Sequence, residues 1–166
     1  MSEQQEQVTD SLEVIGEVED GAEQYLTFLL GDEEYGVEIL RVQEIKGWDT
    51  VTSIPNSPSY LCGVLNLRGT IVPVVDLRLR FDISVAEYTP TTVIVVLKIE
   101  GESQRTVGVV VDGMSDTHNI KPEDIQPTPD FGAGINTDYI NGLVSIGDNM
   151  MMLLDIDHLL SVEAIG

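Results

Sequence analysis

Gly63-Val-Leu-Asn-Leu-Arg-Gly-Thr-Ile-Val-Pro-Val-Val-Asp76 reads as an apolar strand, a polar turn and a second apolar strand. Gly142-Leu-Val-Ser-Ile-Gly-Asp-Asn-Met-Met-Met-Leu-Leu-Asp155 repeats that plan over the same interval of 13 residues. The flanks match too. Tyr60-Leu-Cys precedes the first stretch and Tyr139-Ile-Asn the second, while Leu77 and Ile156 follow the two aspartates. Further upstream, Phe28-Leu-Leu-Gly31 with Gly36-Val37 is echoed by Leu97-Lys-Ile-Glu-Gly101 with Gly108-Val109. One internal copy is too few for a solenoid. The pattern predicts an all-β chain of two similar barrels of about 60 to 70 residues each, too small to bury much alone and so packed together. The expected division lies near 82–90.

The remaining segments fit this plan. Residues 25–30 and 35–37 form a hairpin around Gly31-Asp-Glu-Glu34. Apolar positions 39, 42 and 45 suit one or two helical turns before a strand near 48–54. Pro73 has no amide hydrogen to donate, which places it at an edge or a bulge. Residues 77–81 and 156–160 read as short closing helices, and residues 93–97 and 106–111 flank a turn. Pro122, Pro127 and Pro129 mark a loop before the second copy of the repeated stretch.

Several strands are apolar on both faces, notably 71–75, 93–97, 107–111 and 150–154. A strand with one wet face should alternate. Burial inside the chain accounts for most of these positions, yet a small barrel accommodates only about half of each strand's side chains. The surplus points to protein interfaces, with Val96 and Met152 as candidate contacts for a partner.

Composition narrows the function. The chain has 166 residues, 42% of them hydrophobic, with 29 Asp/Glu against 8 Lys/Arg and a net charge of −21. That charge argues against nucleic acid and against anionic lipid, both of which call for clustered cations. One Cys excludes an internal disulfide framework. The absence of a long apolar run or a secretory signal indicates a soluble cytoplasmic protein. Residues 1–24 hold eight acids and no base, and read as a flexible acidic leader. Residues 161–166 are read as a C-terminal end outside the barrels.

No catalytic constellation emerges. There is no phosphate-binding GxxxxGK[ST], no GxGxxG opening a helix, no HExxH and no GxSxG. His118 and His158 read as surface or capping residues, and Cys62 as a small buried apolar group. Asp112-Gly-Met-Ser-Asp116 and Gly147-Asp-Asn149 lack calcium-loop spacing and suit turns. The expectation is a protein with no cofactor and no metal. Arg68 draws notice as a scarce cation at a hairpin tip between apolar strands, where its forked donors suit an interface rim. Val42-Gln-Glu44-Ile45 offers an apolar and acidic pair beside Trp48, itself more often core than contact.

Taken together, Phe28-Leu-Leu-Gly31-Asp-Glu-Glu-Tyr35-Gly36-Val37, Val42-Gln-Glu-Ile45, Gly63-Val-Leu-Asn-Leu-Arg-Gly69, Ile71-Val-Pro-Val-Val-Asp-Leu77 and Gly108-Val-Val-Val-Asp-Gly113 resemble the bacterial chemotaxis coupling proteins, the CheW family. The likeness runs from about residue 25 to residue 160. It implies two SH3-like five-stranded barrels and a non-catalytic adaptor. That adaptor would join methyl-accepting chemoreceptors to the histidine kinase CheA in membrane-associated arrays, with pairing of like barrels and self-association in rings. It implies receptor contacts at Val42, Glu44, Gly63, Arg68, Gly108 and Met114, and a ring-contact aromatic at Phe131. A CheW-like scaffold of a related non-motility pathway shares these motifs. A small ligand-binding or enzymatic barrel would need converging polar groups in a pocket, and a nucleic-acid binder would need basic and aromatic residues on one face.

Overall fold

The computed structural model describes residues 21–81, 87–101, 104–129 and 138–161. Their strands are β1 (Glu23–Leu30), β2 (Glu33–Glu38), β3 (Val42–Gly47), β4 (Leu61–Leu67), β5 (Thr70–Asp76), β6 (Val93–Ile99), β7 (Arg105–Val111), β8 (Gly113–Ile120), β9 (Ile140–Ile146) and β10 (Asn149–Leu154). Two four-residue helices, α1 (Leu77–Arg80) and α2 (Ile156–Leu159), follow β5 and β10. Each begins where an aspartate caps it: Asp76 accepts from the Arg78 amide at 3.0 Å and Asp155 from the His158 amide at 3.2 Å.

The strands form two five-stranded, SH3-like sheets, ordered β8-β1-β2-β10-β9 and β3-β6-β7-β5-β4. The duplication read from the sequence is present, but the division near 82–90 does not separate the sheets. Hairpin β1–β2 pairs with β8 and β10, and hairpin β6–β7 pairs with β3 and β5. Each half thus lends its first hairpin to the other half's strands. The registers show the equivalence: in the parallel pairs, Leu153 lies opposite Gly36 and Val74 opposite Gly108. Matching backbone bridges close the two sheets, Thr52 with Val64 and Gln126 with Leu143.

This exchange explains the doubly apolar strands. Alternate residues of β6 and β7 enter two different cores. Val95, Leu97, Ile99, Val107, Val109 and Val111 join Phe28, Val37, Leu77 and Leu154 in a core shared by the barrels. Ile94, Val96 and Val110 pack with Leu65 and Val74 inside the second barrel. A third cluster of Ile120, Val144, Met151 and Leu153 fills the first. The outer faces of β6 and β7 are therefore covered within the chain.

Several local expectations fail. Residues 39–45 were expected as helical turns, but only Ile39–Arg41 forms a 3-10 turn before β3, and no strand spans 48–54. Pairing with β6 overrides the 3.6-residue spacing, leaving Gln43, Ile45 and Gly47 exposed in alternation. Likewise Gly113-Met-Ser-Asp116, expected as a turn, opens β8, a strand with polar residues on its exposed face that among the described residues pairs with β1 alone. Pro73 lies neither on an edge strand nor in the bulge, which falls between Leu61 and Gly63 of the neighbouring β4. It precedes the three β5 residues that pair with β7. β1 begins within the stretch read as leader, and Gln24 is already buried; residues 1–20 lie outside the described residues.

Candidate interaction surface

Residues Arg68 and Gly69 form the two-residue turn between β4 and β5, and both have positive φ, 51° and 90°. The Asn66 side chain accepts from the Gly69 amide at 2.8 Å and holds the tip. The equivalent position in the β9–β10 turn is Gly147, with φ 59°. The guanidinium of Arg68 reaches Glu44 of β3 at 2.5 Å, with 76% of the arginine side chain exposed. Because β3 and β4 are the two edges of their sheet, this pair spans the barrel's seam. Two motifs singled out separately in the sequence therefore meet in one place. An exposed ion pair contributes only about 0–1 kcal/mol, so its consequence is placement of two charged groups at an open edge. Ile45 and Ile71, 43% and 60% exposed, add apolar area.

The other expected contacts divide. Val42 lies opposite Leu97 and Met114 opposite Phe28, equivalent positions in the two sheets. Both are half-buried against the shared core. Gly63 and Gly108 are buried and present no side chain to a partner. At Gly63, with φ 149°, a Cβ would lie 2.1 Å from the Thr52 carbonyl oxygen; at Gly108 it would lie 2.9 Å from Ile94 Cγ2. These glycines admit the chain's own atoms. Val96 is a correction: it is 0% exposed inside the second barrel, so it is core and cannot be touched by a partner. Met152 is half-buried on β10, opposite Tyr35, and Phe131 lies outside the described residues. Exposed Leu40, at 73%, had no signal in the sequence, since its spacing matched no face.

The buried Arg78–Asp76 pair is engaged structurally. Arg78, only 1% exposed, donates to both oxygens of Asp76 at 3.0 Å and to Asp112 at 2.8 Å. Burial opposes its charge, but the two carboxylates outweigh burial and raise its pKa. Asp112 also accepts from the Gly31 amide at 2.7 Å, tying the β1–β2 turn to α1. The other half carries the same clamp with charges reversed: Asp157 of α2 pairs with Arg41 and accepts from the Glu100 amide. Trp48 stacks on Tyr88 at 4.0 Å, and the Tyr88 hydroxyl donates to Asp76 at 3.1 Å. Burial pushes the Cys62 thiol up, which favours its protonated form. His158 is exposed and meets Tyr139 edge-on, while His118 is half-buried within β8.

A family model described as a CheW-like domain matches residues 24–164. The chain belongs to the CheW family. Over 141 residues it is 48% identical to the chemotaxis protein CheW of Klebsiella aerogenes, covering 85% of this chain and 83% of that protein. The corresponding protein of Rhizobium meliloti is 36% identical over 143 residues, covering 86% and 90%. The crystal structure of the scaffolding protein TtCheW from Thermoanaerobacter tengcongensis is similar at a TM-score of 0.77 and 29% identity, covering 86% of this chain and 95% of that one. The CheW-family assignment makes this chain a chemotaxis scaffold, and it agrees with the exchanged-hairpin barrels. Among the described residues, no helix is long and apolar enough to cross a membrane.

Proposed function

We propose that this chain is a non-catalytic adaptor coupling the cytoplasmic tips of methyl-accepting chemoreceptors to a CheA-type histidine kinase. Arg68 carries the reading. It occupies a left-handed turn position where the duplicate hairpin has Gly147, and an arginine pays a steric cost there that glycine avoids. Strained backbone at a non-glycine residue clusters at functional sites, which points to a role for this side chain. That side chain sits on Glu44 at an open barrel edge, a charged pair that a receptor helix can engage from both ends. Val42 and Met114 lie half-buried against the core shared by the barrels, and Gly63 and Gly108 leave room for the chain's own neighbouring atoms.

In this reading Met152, on the outer face of the first barrel, and Phe131 belong to the kinase or ring contacts. Like barrels of the kinase and of further copies supply the opposing surfaces, and binding recruits the cytoplasmic protein to membrane-associated arrays. The adaptor transmits a signal by contacting the receptor and kinase differently in their two signalling states, since only differential binding shifts an equilibrium.

Arg68→Gly separates the turn from its side chain. It should leave unfolding free energy within about 1 kcal/mol of the parent, because relief of strain and added chain entropy oppose one another. Receptor-dependent kinase stimulation in reconstituted vesicles should fall about tenfold. Full stimulation by a folded Arg68→Gly protein would remove this surface from the receptor contact.

A further inference from the structure

All eight Lys and Arg residues of this acidic chain lie among the described residues, and Lys121 is one of those already engaged. Arg41, Lys46, Arg68 and Arg78 each meet a carboxylate. The guanidinium of Arg80 lies over the rings of Tyr60 and Tyr139, 5.0 and 4.8 Å from their centres. Lys98 is different: its ammonium makes no ion pair among the described residues. Arg105, on the neighbouring strand, donates to the Leu160 carbonyl and meets no carboxylate among them. Both cations line a recess of about 280 Å³ with Gln43, Thr70, Ile71 and Thr106.

The strand pattern puts Lys98 there. Leu97 and Ile99 point into the core shared by the barrels, so Lys98 between them projects to the opposite face, at the mouth of the second barrel. Ile71, 60% exposed, supplies an aliphatic wall and directly follows the Arg68–Thr70 turn. Lining residues Gln43 and Thr70 of the recess neighbour Glu44 and the Arg68–Gly69 turn in the chain. Two cations that meet no carboxylate among the described residues, beside an exposed isoleucine, complement a ligand that is anionic and aliphatic at once. A chain of net charge −21 repels such a ligand almost everywhere else.

We propose that this recess receives an acidic–aliphatic stretch of the receptor tip, with Lys98 holding an Asp or Glu carboxylate and Ile71 covering the adjacent Leu, Ile or Val. The proposal rests on the receptor reading above and adds the chemistry of the segment bound. Lys98→Glu, Lys98→Met, Ile71→Ser and Arg68→Gly are compared by calorimetric titration with a receptor cytoplasmic fragment, at low and at physiological salt. Lys98→Glu should weaken binding about tenfold and flatten its salt dependence. Lys98→Met, which keeps the aliphatic stem, and Ile71→Ser should each lose less.

One receptor fragment with a single acidic residue changed to Lys should restore binding to Lys98→Glu and to no other variant. If Arg68→Gly weakens binding while all Lys98 and Ile71 variants match the parent, the recess proposal fails and the receptor reading stands. If every variant matches the parent, both fail. A protein lacking residues 1–20 tests the chain's own acidic leader as occupant. Tighter receptor binding by that truncation, abolished by Lys98→Glu, would assign the recess to the leader and overturn the proposal.

Discussion

Arg68 and Gly147 occupy equivalent turns, and Gly63 and Gly142 equivalent crossings, so the duplication supplies an internal control for each residue. Arg68 could be noticed in the sequence as a rare cation at a hairpin tip, and Glu44 as an acid beside exposed apolar residues. Their contact could not, because 24 residues separate them and only closure of the barrel brings them together. The crossings allow a sharper comparison. A Cβ on Gly63 would meet the Thr52 carbonyl oxygen at 2.1 Å in a backbone conformation of positive φ; on Gly142 it would meet Gln126 O at 2.9 Å and a movable Ile125 methyl at 2.6 Å. Gly63→Ala should therefore cost about 3 kcal/mol or more, from strain and a lost bridge, and Gly142→Ala distinctly less. Denaturant midpoints test this, and the reverse order would refute the account of Gly63.

At the scale of elements, the hairpins and the short capped helices were legible because turn residues and caps act locally. β3 and β8 were not. Their sequences carry weak strand character, and the partner strand supplies what local propensity lacks. The β1–β2 ladder shows how pairing also sets electrostatics. It places Tyr25 opposite Glu38, with the Glu23 carboxylate close to that of Glu38. Burial, then Glu38 and Glu23, push the Tyr25 hydroxyl up to about 12. Burial and the Glu23 carboxylate, to which protonated Glu38 can donate, likewise raise the Glu38 carboxyl, against a smaller opposing pull from Arg41. A raised folded pKa means that this stability is full below the unfolded value, about 4.3 for Glu. It is lost as pH rises through the folded value. Glu23→Gln should thus raise the melting temperature at pH 7, with the gain shrinking as pH falls through the raised Glu38 value and gone below about 4. A gain that is unchanged at pH 3 would trace to something other than the Glu38 proton.

At the scale of the molecule, the exchanged hairpins make the two barrels one folding unit. Each sheet takes strands from both sides of residues 82–90, and the shared core takes side chains from both. Fragments 1–84 and 85–166 should each be largely unfolded by circular dichroism, and should regain strand structure when mixed. An independently folded, cooperatively melting fragment would contradict a single shared core. The chain's own amino-acid order was enough to establish strand character, hairpin positions, the internal duplication and the family likeness, because periodicity, turn chemistry and repeated motifs are local. Tertiary structure alone decided which hairpin joins which sheet. It also decided that Val96 is core while Ile71 is bare, and that Arg68 finds Glu44. Those outcomes depend on which distant apolar faces cover one another, and a strand apolar on both sides carries no mark of what will cover it.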